Sequence, residues 1–179
     1  MGRRLVWRGS GHQRRVSQLG VSIATKMGMS NAEVDEIRTA GLLHDVGKIA
    51  APTEILSKPG NLSDIEFQLI KAHSETGHMI IAGSHLEGQI AEIVYQHHER
   101  CDGSGYPRGL SGDEILRSSK LIAVADVVEA MVSHRPYRPA LGLDAALEEI
   151  EAGAGSRYDA EAAQACVAVF REDAFEFVE

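Results

Sequence analysis

The sequence predicts an all-α fold, and three observations carry that prediction. Apolar residues recur at intervals of three and four along most of the 179-residue chain, which is the period of an amphipathic helix. No segment shows a convincing alternation of apolar and polar residues, which a half-buried strand requires. Glycines and prolines gather in two stretches, residues 50–62 and 99–117, which therefore separate the helical segments.

The first two helices are defined by their apolar period and by their ends. A helix is expected over residues 16–27, and Gly28 can end it because glycine adopts the left-handed conformation that follows many helices. Asn31 can cap a second helix, since its side chain can accept from the free backbone amides of the first turn. That helix is expected to end close to His44 and Asp45.

The middle of the chain is predicted to alternate loops and short helices. Residues 50–62 are expected to form a loop that contains a short turn. Ser63 and Glu66 have the spacing of a capping box, so a helix is expected to begin there. Further helical segments are expected before Gly83 and over residues 90–98.

The C-terminal half is predicted to hold the central helix. A long glycine-rich loop covers residues 99–117, and long loops in compact domains are often functional. The helix expected over residues 118–133 is apolar on most sides, which places it at the centre of the fold. Asp126 is the polar residue that stands out within it. Two more helices are expected over residues 143–152 and 160–172.

Composition limits the class of protein. A chain of this length, 44% hydrophobic and 25% charged, supports one core, so a single domain over residues 1–179 is expected, with residues 1–11 as a non-native or truncated lead-in. A formal charge of −8 argues against a nucleic-acid polymer or an anionic membrane as the main partner. Cys101 and Cys166 have no CxxC spacing, so a reducing cytoplasm is the expected compartment.

Seven histidines and aspartates are candidate metal ligands, because they lie at predicted helix ends or on apolar helix faces. A buried Asp126 requires a compensating cation or hydrogen-bond donors. Imidazole and carboxylate without thiolate suit iron, manganese, zinc or nickel, and more than four such ligands suggest more than one ion. The candidates are His12, His44, Asp45, His73, His97, His98 and Asp126.

The number of ligands indicates the chemistry. A carboxylate such as Asp45 can bridge two metals, whereas a neutral imidazole cannot. Two ions about 3.5–4 Å apart activate a water between them and stabilise both the attacking and the leaving oxygens of a displacement at phosphorus. The residues therefore predict phosphodiester chemistry.

Two motifs give a more specific indication. The run LLHDVGKI at residues 42–49 and the run HHERCDGSGYP at residues 97–107 resemble the HD-GYP family of the HD superfamily. Other matching positions occur in family order from His12 to Arg138, over nearly the whole chain. The resemblance implies a compact helical bundle with a long glycine-rich GYP loop. It also implies a metal centre, often of iron or manganese, that hydrolyses the bacterial second messenger cyclic di-GMP.

The resemblance also implies roles for individual residues. It assigns the metal to the same seven ligands, with Asp45 in the catalytic centre. Lys48 is expected one helical turn past His44, at i+4, where it is placed to reach a phosphate oxygen and offset developing charge. The remaining expected substrate contacts come from the GYP loop and from two arginines that could clamp phosphate or guanine edges. They are Gly105, Tyr106, Arg135 and Arg138.

The chain departs from the family pattern at two positions that bear on the site. Some members have a metal-binding glutamate four residues before the first histidine, where this chain has Arg8. Because a cation cannot ligate a metal, we expect a binuclear rather than a trinuclear centre. Glu129 stands where an aspartate is usual, and its longer side chain could alter substrate fit without abolishing ligation.

The leading hypothesis is a hydrolase that opens cyclic di-GMP to the linear dinucleotide pGpG. The hypothesis includes GMP as a further product. One alternative keeps the chemistry and changes the substrate to another cyclic or linear nucleotide. The other alternative is a signalling module that binds a nucleotide or a GGDEF-domain or sensor-domain partner without turnover. Degenerate modules are expected to lose metal ligands, and all seven are present here.

Overall fold

The computed structural model describes residues 9–58, 60–133 and 140–178. Within these ranges the protein contains nine α-helices and no β-strand, which confirms the predicted all-α class. The helices are α1 (Gly9–Lys26), α2 (Asn31–Leu43), α3 (Thr53–Leu56), α4 (Asp64–Lys71), α5 (His73–Ala82), α6 (Ile90–Gln96), α7 (Arg117–Val132), α8 (Leu143–Gly153) and α9 (Ala160–Arg171). Two 3₁₀ turns follow α2 and precede α7, at Val46–Ala50 and Gly112–Glu114.

Helix α7 lies at the centre of the molecule, as its apolar sequence predicts. It packs against α1, α2, α6, α8 and α9. Leu121, Ile122 and Val124 of this helix are completely buried. Burial of such side chains is worth about 1.5–3 kcal/mol each. A helix surrounded in this way is a rigid support for any polar group that it carries, and Asp126 is one of those groups.

The caps at the start of α2 and α4 explain where these helices begin. Ser30 accepts a hydrogen bond from the backbone N–H of Glu33, whose side chain returns to the Ser30 amide, so the cap is Ser30 and the expectation of Asn31 is wrong. Asn31 is the first helical residue. Ser63 caps α4 through the same reciprocal arrangement, as predicted.

Two glycines allow backbones to approach each other around the end of α2. A Cβ at Gly41 would lie 2.7 Å from the Cα of Ser17 on α1. A Cβ at Gly47 would lie 2.0 Å from the carbonyl oxygen of His73 and 2.5 Å from the amide nitrogen of Gly77. The turn after α2 therefore rests directly on the backbone of α5. This contact brings His44 and Asp45 beside the start of α5.

The segment between α6 and α7 is a folded loop with defined contacts. Asp102 pairs with Ser111 across an isolated bridge, and the side chain of Asp102 accepts from the amide of Ser104. A Cβ at Gly105 would lie 2.4 Å from the Cα of Glu99, so only glycine fits at this position. None of the described helices is long and apolar enough to cross a membrane.

Candidate metal centre

The structure brings all seven candidate ligands together from five parts of the chain. Two groups form, and in each the nitrogen or oxygen atoms lie within 4.8 Å of one another. One group combines His12 of α1, His44 at the end of α2 and Asp126 of α7; the other combines His73 of α5 with His97 and His98 after α6.

Asp45 lies between the two groups and faces both. Its Oδ2 is 3.7 Å from Nε2 of His12 and 3.6 Å from Nε2 of His44. Its Oδ1 is 3.6 Å from Nε2 of His73 and is buried without a hydrogen-bond partner. A buried carboxylate oxygen without a partner carries a large desolvation cost. A cation at this position would offset that cost, so the residues fit a divalent metal centre that Asp45 would help to hold.

Three of the histidines are oriented by the backbone. Each has Nδ1 within hydrogen-bond distance of the carbonyl oxygen three residues earlier, so that nitrogen donates its proton and Nε2 is left with its lone pair toward the centre. The pairs are His44 with Gly41 at 2.8 Å, His73 with Ile70 at 2.6 Å, and His97 with Val94 at 2.6 Å. This is the tautomer that a metal requires.

A buried carboxylate orients His12 in the same way. Glu129 is completely buried, and one of its oxygens is hydrogen-bonded to Nδ1 of His12. Its other oxygen accepts from Nε of Arg15 at 2.8 Å and from the hydroxyl of Ser133. The sequence led us to expect that Glu129 alters substrate fit. The contact with His12 adds that this side chain positions a candidate ligand.

Burial and charge set the protonation of the site. Desolvation lowers the pKa of His98 to about 3 and holds the pKa of His97 well below its usual value. Burial also opposes the charged form of His12, but hydrogen bonds to Asp126 and Glu129 outweigh it and raise the His12 pKa to about 9. The imidazoles of His97 and His98 are therefore neutral at pH 7, in the form that binds metal ions.

Lys48 contacts Asp45. Its Nζ donates to Oδ2 of Asp45 at 2.7 Å, and burial of Asp45 is outweighed by the charges of His44 and Lys48, which keep the Asp45 pKa below its usual range. The expectation that Lys48 lies one helical turn past His44 is wrong, because α2 ends at Leu43 and Lys48 belongs to the following 3₁₀ turn. It nevertheless lies at the edge of the ligand set and is partly exposed.

The GYP loop lies against the second group of ligands. The ring of Tyr106 lies 4.7 Å from the ring of His98, centroid to centroid, at an angle of 31°. The backbone N–H of Tyr106 donates to the carbonyl of His98. Gly105 has no room for a side chain because it touches the backbone of Glu99 and Arg100. The two GYP-loop residues expected from the sequence therefore lie beside the candidate metal centre.

Glu99 is a site residue that the sequence interpretation missed. It is only 2% exposed, and its two oxygens accept the backbone N–H groups of Arg108 at 2.8 Å and Leu110 at 3.0 Å. Glu99 follows directly after His98, so it ties the GYP loop to the ligand pair. An acidic residue that begins a glycine-rich loop was the available signal, because such a loop has amides that need acceptors.

Three residues of the sequence interpretation lie outside the described part of the chain: Arg8, Arg135 and Arg138. His134 lies outside it as well. Of the remaining histidines, His78 stacks on Tyr95 at 4.8 Å and His85 is exposed, so neither joins the ligand groups.

The all-α fold and the two motifs agree with comparisons to known proteins. Residues 6–162 match the HD domain family. The chain therefore belongs to the HD-domain family, and the resemblance of its two motifs to HD-GYP proteins is confirmed.

Relatives with assigned names are similar over most of this chain. A protein of Thermotoga maritima named cyclic di-GMP phosphodiesterase is 45% identical over 163 residues, 90% of this chain and 44% of that protein. The cyclic di-GMP phosphodiesterase response regulator RpfG of Xanthomonas campestris is 43% identical, over 81% of this chain and 39% of that protein. The 3'3'-cGAMP-specific phosphodiesterase 3 of Vibrio cholerae is 37% identical, over 85% and 33%. The chain thus spans less than half the length of these relatives.

Solved structures share the fold at low identity. Bd1817, an HDG"Y"P protein from Bdellovibrio bacteriovorus, superposes with a TM-score of 0.74 at 20% identity, over 90% of this chain and 52% of that chain. The HD domain of the phosphodiesterase PgpH from L. monocytogenes, in complex with cyclic di-AMP, gives a TM-score of 0.61 at 18% identity, over 95% and 93%. These similarities support the arrangement of the helices.

Proposed function

We propose that this chain is a metal-dependent phosphodiesterase that hydrolyses cyclic di-GMP to pGpG. GMP is the candidate product of a second cleavage. One observation carries the proposal: the two oxygens of Asp45 face two separate groups of buried and half-buried candidate ligands. Relatives that are 45% and 43% identical bear the name of this activity, which supports the choice of substrate.

We propose a binuclear centre of iron or manganese, with zinc and nickel as the other candidates. His12, His44 and Asp126 would hold one ion, and the second histidine group would hold the other, with Asp45 shared. Arg8, in place of a glutamate, supports two ions rather than three. When bound, the ions supply Lewis-acid charge and a water of lowered pKa at the scissile phosphate.

The side chains around the centre would orient the dinucleotide. Lys48 can exchange its contact with Asp45 for a phosphate oxygen once the charge of that carboxylate is taken up by metal. Gly105 and Tyr106 form the wall beside His98, where a base or sugar can pack. Arg135 and Arg138 are proposed to clamp phosphate or guanine edges, as the sequence predicts.

A second candidate substrate is 3'3'-cGAMP. The relative from Vibrio cholerae named for this substrate is 37% identical, close to the identity of relatives named for cyclic di-GMP. Both substrates have two phosphodiesters and two purines, so the same centre can cleave either. Initial rates with cyclic di-GMP, 3'3'-cGAMP, cyclic di-AMP and pGpG distinguish the candidates.

We propose the cytoplasm as the compartment of this protein, which is supported by two cysteines that are both free. A GGDEF-domain or sensor-domain partner is proposed by analogy with the family. A binding module without turnover remains the alternative, and it predicts tight binding of cyclic di-GMP with no product.

The test of the proposed function is chromatography of the products formed from cyclic di-GMP by anaerobically purified protein. The wild type is compared with His44→Ala, with Asp45→Ala, and with the control His85→Ala, which removes an exposed histidine outside both ligand groups. We expect pGpG from the wild type and the control only. Full metal occupancy with no cleavage of any cyclic dinucleotide would refute the proposal.

A further inference from the structure

Three side chains form a surface cluster at the edge of the candidate metal centre, named here the rim: Phe67, Lys71 and Tyr106. The Tyr106 ring packs on His98, and the Phe67 ring lies edge-on to Tyr106 at 6.3 Å. Nζ of Lys71 is 4.8 Å from the centre of the Phe67 ring and 5.3 Å from that of Tyr106. The rim thus combines two aromatic rings and one cation beside a candidate ligand.

The charge of Lys71 is not neutralised by a neighbour. Within the described ranges, Nζ of Lys71 makes no hydrogen bond or ion pair, whereas two other cations near the centre each have a carboxylate partner. Lys48 is paired with Asp45, and Arg15 with Glu129. An ammonium held between two rings, two residues before His73, is therefore free to meet an anion.

The helix that carries Phe67 and Lys71 is placed to serve as a binding edge. No residue of α4 is buried, and Phe67 is 44% exposed. Exposure of an aromatic ring beside a polar centre leaves apolar area that a planar base can cover. Packing of the core does not explain these two side chains, because neither belongs to the buried cluster.

We propose that the rim recognises the part of the cyclic dinucleotide that lies away from the scissile bond. Lys71 pairs with the second phosphodiester, and a purine packs against Phe67 and Tyr106. The inference rests on the proposed function and adds Phe67 and Lys71 to it as specificity-determining residues. A substrate with one phosphate and one base would lack the group that Lys71 meets, so the rim favours dinucleotides over mononucleotides.

The experiment combines binding and turnover. Metal-loaded wild type, Lys71→Gln, Lys71→Arg and Phe67→Leu are titrated calorimetrically with the bisphosphorothioate of cyclic di-GMP, and KM and kcat are measured with cyclic di-GMP. Lys26→Gln is the matched control, since Lys26 is paired with Glu172 and Asp173 after α9. Melting temperatures and metal content are recorded for each variant.

We expect Lys71→Gln to raise Kd and KM by about tenfold and to weaken their dependence on salt, with kcat changed by less than about twofold. Lys71→Arg should keep most of the affinity because it retains the charge, and Phe67→Leu should weaken binding without changing the salt dependence. Equal Kd values for Lys71→Gln and Lys26→Gln, with wild-type turnover intact, would overturn the rim and leave the proposed function standing. A wild type that neither binds nor cleaves a cyclic dinucleotide would overturn both.

Discussion

Replacement of Glu99 by glutamine tests whether one buried carboxylate holds the GYP loop in place. Glu99 accepts two backbone N–H groups, at 2.8 and 3.0 Å, from Arg108 and Leu110. Glutamine keeps one acceptor and turns a donor toward the other amide, so one hydrogen bond is lost and a part-buried amide is left without a partner. A charge-assisted hydrogen bond contributes about 1.5–3 kcal/mol, and an unsatisfied buried donor costs about 1–3 kcal/mol.

The expected destabilisation is therefore about 2–4 kcal/mol, which lowers the melting temperature of a domain of this size by about 5–15 °C. Urea unfolding and differential scanning calorimetry of metal-free protein measure it. Asp113→Asn is the matched control, since it makes the same acid-to-amide change at an exposed position of the same loop. A change within about 0.5 kcal/mol of the control would refute the assigned role of Glu99.

Three further predictions follow from contacts around the centre. Glu129→Gln removes the charged partner of His12 and should weaken metal binding by about 10–100-fold, measured by competition with a chelating dye; unchanged affinity would contradict the positioning role. Gly47→Ala places a methyl group 2.0 Å from a backbone oxygen of α5 and should cost more than about 3 kcal/mol, whereas Gly83→Ala, whose nearest neighbour is 3.5 Å away, should be tolerated; equal melting temperatures would contradict the packing. In metal-free protein the pKa of His98 is lowered from 6.5 to about 3, so between these pH values the unfolded chain binds more protons than the folded protein. The free energy of unfolding should therefore fall as the pH falls through this range. The raised His12 pKa contributes stability below pH 6.5 that is lost as the pH rises toward about 9, and pH-dependent urea unfolding measures both.

The sequence predicted the helices well because their signals are local. The apolar period, the Ser63 capping box and the glycine-rich loop each depend on residues that are close along the chain. The seven candidate ligands could also be singled out from the sequence, since polar residues at helix ends and inside an apolar helix have no packing reason of their own. The structure brings all of them together.

The features that the sequence did not predict depend on contacts between distant parts of the chain. The position of Lys48 depends on the end of α2, where the turn must rest on the backbone of α5 at Gly47. The role of Glu129 depends on a contact with His12, which is 117 residues away in the sequence. Helical spacing contains no information about either contact, so the sequence supplied only the residue types.

The most direct test of the central claim is metal content and cyclic di-GMP cleavage measured on the same anaerobically loaded sample, for wild type and Asp45→Ala. If one carboxylate is shared between two ions, the wild type should hold about two iron or manganese ions per chain and release pGpG, and the variant should hold fewer ions and release none. A wild type that keeps its metal and leaves every cyclic dinucleotide intact would contradict the account, as would an Asp45→Ala protein with unchanged metal content and turnover.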